Sequence, residues 1–459
     1  MTDRSPPSHL ADIRFGLGVR GAGRPLTRDD LLGAVPSQAE PAVEAVPLTT
    51  ARVRETLEAS RAMVVRKQGG GDLRELRREA RERRNALLNL DAARYCERLI
   101  ATDDSLRERL VLFWTDHFAV TASKGFLRVL VGPMVDEAIR PHVYGRFPAL
   151  LRAAVLHPAM LYYLDNVVSI GPNSRVGRRR DRGLNENLAR EILELHTMGV
   201  GGGYHQGDVT ALARVLTGVK VPREAGKTRF RAITAEPGTH EVVGWRGAVG
   251  SLADVQGALD HIALHPATAR HVTGKLAEHF VGSDASAALR NALALRFTRT
   301  GGDLAAVMRT LLKTEEAWEL PLRNVRPPLD FVVATARLAG DAMPAPARED
   351  RPRASDAHAR GRFVQQLSAR LGQRLWYPPS PAGYPGEPEF WLSAAGLTAR
   401  LDWAGRLSRR LVRHGEPLAL LERSLGPVAS GRTRTVVARA PNARTAIALL
   451  LGAPEFNMR

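Results

Sequence analysis

The stretch NENLAREILELHTMGV at residues 185–200 sets amide, guanidinium and carboxylate groups at helical spacing inside an otherwise apolar run. Laid on a helix at about 100° per residue, Asn187, Arg190, Glu191 and Glu194 fall within about 100° of one another, and Leu184, Leu188, Ile192 and Leu195 form the neighbouring stripe. An ionic face set into a helix that is apolar on most other sides predicts a buried polar cluster, whose charges must be paired or put to use.

Outward from this helix the same three- and four-residue return of Leu, Ala and Val predicts helices over most of 51–155, 207–217, 252–339, 359–371 and 397–451. Asp103, Asp104 and Asp208 supply oxygens for helix starts, and Gly199, Gly218 and Gly372 stand where helices stop. Only 219–249, with Val, Thr, Phe and Ile among Pro and Gly, reads as a small β excursion. The expected fold class is therefore all-α, a multi-helical globular core. Composition divides it into an N-terminal arm (1–48), a main helical domain (49–340), a Pro- and Ala-rich linker (341–356) and a C-terminal helical subdomain (357–459) packed on the main domain.

The chain has 459 residues, enough for a large core, and its single cysteine, Cys96, rules out a disulfide framework or a thiolate metal cluster within one chain. The net charge of +18 raises nucleic acid as a partner, but only six of the 66 basic residues are lysine. That is a compositional arginine bias, and aromatic residues are not interleaved with the arginines, so nucleic-acid binding is not expected. The Gly- and Arg-rich loop 171–183 is read first as a solvated loop and second as an anion or partner site. No apolar run is long enough to span a membrane and the N-terminus carries no export signal, so a cytoplasmic location is expected.

IRFGLG at 13–18, FWTDHF at 113–118, LDN at 164–166 and the central helix resemble a bacterial family known as domain of unknown function 1800. GGYHQGDV at 202–209, HPATARHVTGKLAEHFV at 265–281, LGQRLWYPPSPAGYP at 371–385 and the terminal PEF at 454–456 extend the resemblance over nearly the whole chain. It implies a mainly helical protein and no established activity. It also implies a partner resembling the domain of unknown function 1501 family, often encoded beside its members. At 235–244, where relatives place a histidine before the acidic residue, this chain has Ala235 before Glu236, so such a role is lost or has moved to His240.

If the chain is an enzyme, hydrolase-type acid/base chemistry is expected on the central helix. Glu191 or Glu194 would act as base, Arg190 would bind an anionic or carbonyl group, Asn187 would orient the substrate and His117 would assist. No cofactor motif is present. His196 lies nearly opposite Glu194 on the wheel, so a metal would need His117, Asp165 or Asp208 from other segments. In FWTDHF, Trp114, His117 and Phe118 share a face and Asp116 turns away from it. The alternative is a non-catalytic helical scaffold in which the polar cluster only fixes helix register.

Overall fold

A computed structural model of the protein describes residues 9–20, 23–41, 48–68, 72–179, 183–222, 226–343 and 358–459. Helices dominate, as the periodicity predicts, and among the described residues sheet is confined to two antiparallel two-stranded ribbons. Phe147–Val155 and Leu252–Ala263 occupy the predicted ranges, and Leu73–Ala101 and Ala394–Leu411 lie within a few residues of theirs. Arg28–Ala34, Pro158–Tyr163 and Gly431–Ala438 escape the periodicity because about two turns or fewer give it too few repeats. The β excursion resolves into Val219–Lys220 with Arg229–Phe230, and Thr239–Val242 with Trp245–Ala248, the latter closed by Val243 and Gly244 at φ 47° and 82°.

The helix Ser105–His117 runs through the core, with Leu106, Leu110, Val111 and Trp114 buried. The Trp114 ring meets Phe113, Phe118 and Phe147 at centroid distances of 4.8, 6.1 and 5.8 Å. Part of the segment expected as an arm belongs to this core, because Leu10 through Val19 are buried. Its IRFGLG string is explained by contact. Arg14 donates to the carbonyls of Ala317 and Glu319 at 2.7 and 2.8 Å, and Phe15 packs on Phe280 and Trp318. Gly18, at φ +90°, leaves no room for a side chain, since a Cβ there would lie 2.9 Å from that of Ala334.

The helix Ala359–Arg370 lies against Leu73–Ala101 so closely that a Cβ at Gly361 would come within 2.0 Å of the Ala93 carbonyl. The last residues return to the centre, where Met458 pairs with Val325 and Arg459 is buried. Arg180, Asp181 and Arg182 of the basic loop, most of the expected linker (344–356) and residues 1–8, 21–22 and 42–47 of the expected arm lie outside the described residues. No described helix is long and apolar enough to cross a membrane.

Candidate functional site

The central helix is observed as Asn187–Glu191 followed by a π turn, Ile192–His196. Its inner face is buried at Leu188, Ala189, Ile192, Leu193 and His196. Its polar face is not: Asn187 is exposed and Arg190, Glu191 and Glu194 are half-exposed. The expectation of a buried cluster is therefore corrected. The flanking Leu184 and Leu195 are themselves only half-buried, so the helix is covered on one side and not on most. Glu186 accepts from Arg190 at 3.3 Å, from Gln206 at 2.8 Å and from Thr210 at 2.7 Å, a surface network joining this helix to Gln206–Leu216.

Glu191 and Glu194 make no side-chain hydrogen bond or ion pair among the described residues. Partial burial and then repulsion from Glu194 raise the Glu191 carboxyl above its ordinary range. Because it has no partner to lose, Glu191→Gln is expected to leave stability within about 1 kcal/mol of wild type, on the stabilising side, in urea titrations. A structural network at this position would show a loss of several kcal/mol.

Of the other predicted residues, His117 bonds to the end of this helix, whereas Asp165 and Asp208 are committed elsewhere. Asp165 pairs with Lys124 at 3.3 Å, and Asp208 accepts from the amides of His205 and Val243 at 2.9 and 2.8 Å, so it serves as a cap and a hairpin tie. Among the described residues no three His, Cys, Asp or Glu side chains converge as a metal-binding group. His117 is buried and locked to the end of the central helix, its Nε2–H donating to the His196 carbonyl at 3.1 Å and the His196 Nδ1–H donating back at 3.0 Å. Glu236 accepts from the Asn173 amide and side chain at 2.9 and 2.7 Å, and His240 Nε2 meets the Glu236 carbonyl at 3.3 Å, which is where His240 stands relative to the Ala235–Glu236 departure.

A cavity lies against His117. It is a cleft of about 850 Å³ between Ser105–His117, Pro266–Phe280, the strand-like segment 323–327 and the loop 373–388. Asp116, His117, Lys275 and His279 line it. Asp116 lies off the Trp114–His117–Phe118 face of the helical wheel, yet it and His117 both line the cleft, which wraps the end of this helix. The loop holds Asp116 there. Tyr384 N donates to Asp116 Oδ1 at 2.9 Å, and Gly383, at φ +89°, passes so close that a Cβ would lie 2.6 Å from the Asp116 carbonyl oxygen. The PAGYP string is thus a wall of the site.

Two charged groups in the cleft are perturbed in opposite directions. Burial pushes the Asp116 carboxyl up to about 6, against the Tyr384 amide and Lys275, which lower it. Burial lowers the Lys275 ammonium from 10.5, partly offset by Asp116 and Glu278. Lys275 has no side-chain hydrogen bond or ion pair within 4 Å among the described residues. Burial, and then the Lys275 charge, also keep His117 neutral well below 6.5.

Part of the cleft wall is a buried ionic hub, to which Arg109, Asp330 and Arg459 belong. Both Asp330 oxygens accept from Arg109 at 3.0 Å, and Arg459 and Arg326 approach at 3.3 and 3.9 Å. Burial raises the Asp330 carboxyl, but Arg109, Arg326 and Arg459 together outweigh it and hold it at about 2. The sequence reading missed Asp116, Lys275, Asp330 and these arginines. The available signal was lysine scarcity: in a chain that has six lysines among 66 basic residues, Lys220 and Lys275 both sit in segments that the fold half or fully buries.

A cleft of about 850 Å³ that brings Asp116 and Lys275 together beside the loop 373–388 makes this a mostly helical protein with a candidate small-molecule-sized site. The family described as Protein of unknown function (DUF1800) matches residues 13–458, and the chain belongs to it. No curated protein and no solved structure matches the chain.

Proposed function

We propose that the cleft is an acid–base site for a small organic ligand, with Asp116 transferring the proton and the Lys275 ammonium stabilising developing negative charge. The observation that carries this reading is the placement of Asp116 and Lys275 in one cavity, each without a close ion-pair partner among the described residues. A carboxyl near 6 exchanges its proton at neutral pH, and the hydrolase-type chemistry expected from the sequence fits a group that gives a proton to a leaving oxygen or takes one from water. His117 supports it by fixing the end of the Asp116 helix against the central helix; Glu191, Glu194, Arg190 and Asn187 lie on the other side of His196 and are not needed.

The test is turnover of p-nitrophenyl acetate and p-nitrophenyl phosphate by wild type, Asp116→Asn and Glu191→Gln. Asp116→Asn is expected to lower turnover roughly 10²-fold or more, and Glu191→Gln to leave it unchanged. The opposite pattern returns the site to the central helix. Asp116→Asn is also expected to raise stability at pH 8. An ionised carboxylate whose pKa is about 6 in the fold and 3.8 outside it costs up to about 3 kcal/mol above pH 6, and the amide oxygen of the variant still accepts from the Tyr384 amide. A variant that melts higher yet has lost turnover is the mark of a functional carboxylate.

A second reading is the scaffold acting with a partner that resembles the domain of unknown function 1501 family. It is favoured by Phe390, Leu392, Leu397 and Leu401, exposed large apolar residues just before and within Ala394–Leu411. It predicts that Asp116→Asn changes stability alone.

A further inference from the structure

We propose that the ligand of this cleft carries an oxyanion, a carboxylate or a phosphoryl group, seated between Lys275 and Arg459. The proposal rests on the reading of the cleft as the functional site and adds the class of ligand. Lys275 and His279 are one turn apart on Pro266–Phe280, and Arg459 is fixed to that turn by donating to the His279 carbonyl at 2.7 Å. Both cations line the cleft, together with Gln373. The Gln373 Oε1 is taken by the Leu329 amide at 2.8 Å, while its Nε2 has no partner among the described residues.

The charge balance points the same way. At depth, the side chains of Arg109, Arg326, Arg459 and Lys275 stand against two side-chain carboxylates, Asp330 and Asp116. The other charged wall residues sit at the mouth, where Glu278 pairs with Arg290 at 3.0 Å, Arg323 with Asp284 at 2.5 Å, and Glu387 is exposed. Asp330 accepts from Arg109 through both oxygens and is shared with Arg459 and Arg326 at 3.3 and 3.9 Å, so one side-chain carboxylate serves three guanidiniums, and Lys275 has no side-chain ion-pair partner among the described residues. Burying cations without counter-charge is costly, and an oxyanion at this point supplies it with charge-assisted hydrogen bonds. The anion would stand close to Asp116, whose protonated form then faces it as a donor.

The experiment is calorimetric titration of the full chain with inorganic phosphate and, separately, with succinate, at pH 7 and constant ionic strength. It is paired with acetic anhydride labelling of Lys275 read by mass spectrometry. The expected result is saturable binding of at least one probe that protects Lys275 from acetylation. Lys275→Met should weaken it about tenfold or more, Lys275→Arg should hold it within about threefold, and Asp116→Asn should strengthen it by removing a like charge. Phosphate binding without succinate assigns a phosphoryl group, and the reverse assigns a carboxylate. Absence of saturation with both probes, or equal binding by wild type and Lys275→Met, overturns the proposal. Turnover that survives in Asp116→Asn while phosphate or succinate still binds overturns the acid–base reading alone.

Discussion

Asp330→Asn is expected to cost the fold about 3–5 kcal/mol, measured as the shift in urea midpoint at pH 7. Among the described residues its carboxylate is the only acidic group in direct contact with Arg109, Arg326 and Arg459, at 3.0, 3.9 and 3.3 Å, and all four side chains are buried. An amide keeps the shape and one acceptor but leaves three buried guanidiniums with no carboxylate between them. These arginines also hold distant parts of the chain together. Arg109 reaches the Gly16 carbonyl, Arg326 donates to Met458 at 3.0 Å and Arg459 to His279 at 2.7 Å, so their repulsion strains the N-terminal segment, the chain end and the cleft wall at once. By contrast the Arg66–Glu79 pair, at 2.6 Å on the surface, is screened by solvent and should contribute little to stability, and Glu79→Gln is the control. A loss at Asp330→Asn no larger than the control would mean that the hub is not held by charge. Replacing Arg109 by Met together with Asp330 by Leu should recover part of the loss, because a buried pair removed as a unit leaves one less orphan charge.

The helical architecture was legible because an amphipathic helix writes its buried face every three or four residues, and long helices repeat that statement enough times to be read. The site was legible only in part, for two reasons. The first is that helix polarity was taken as burial: Leu184 and Leu195 looked like core, yet are half-exposed, and of the cluster between them Arg190 joins a surface network with Glu186, Gln206 and Thr210. Which face of a helix is covered depends on neighbours supplied from far along the chain. The second is that the cleft residues are gathered from sequence separations of more than 150 residues, such as Asp116 with Lys275 and Tyr384, and Arg109 with Asp330 and Arg459. Each looks ordinary in its own segment, and a chain so rich in arginine hides the few that are buried. His117 stood out because it interrupts an aromatic face, and the same wheel sets Asp116 off that face. What the wheel does not give is what lies opposite, which here is a loop held at Gly383.

The pH dependence of stability should separate the two kinds of buried group by sign. His196 is buried in neutral form: burial and then the Lys275 charge lower its pKa to about 3. Unfolded, it titrates near about 6.5. Between those values the unfolded chain binds the proton and the folded chain does not, so stability is present above about pH 6.5 and is lost as the pH falls, by up to about 1.4 kcal/mol per pH unit for this residue. His117 and His279 are lowered by burial in the same direction. Asp12 and Asp116, both raised to about 6 chiefly by burial, act oppositely and lose stability as the pH rises from about 4 to 6. Because these contributions overlap, the wild-type curve alone will look shallow and the variants must carry the test. His196→Gln is expected to be less stable than wild type at pH 7.5, from lost packing and the disturbed bond to the His117 carbonyl at 3.0 Å. By pH 4.5 the gap should narrow by roughly 2–3 kcal/mol, since the variant has no imidazole to protonate on unfolding. Asp116→Asn should do the reverse, with an advantage at pH 8 that vanishes near pH 4. Urea unfolding of the three proteins at four pH values reads both slopes. Parallel curves for His196→Gln and wild type would show that His196 takes up its proton in the folded state, and would place water or a counter-charge beside an imidazole that the packing encloses on every side.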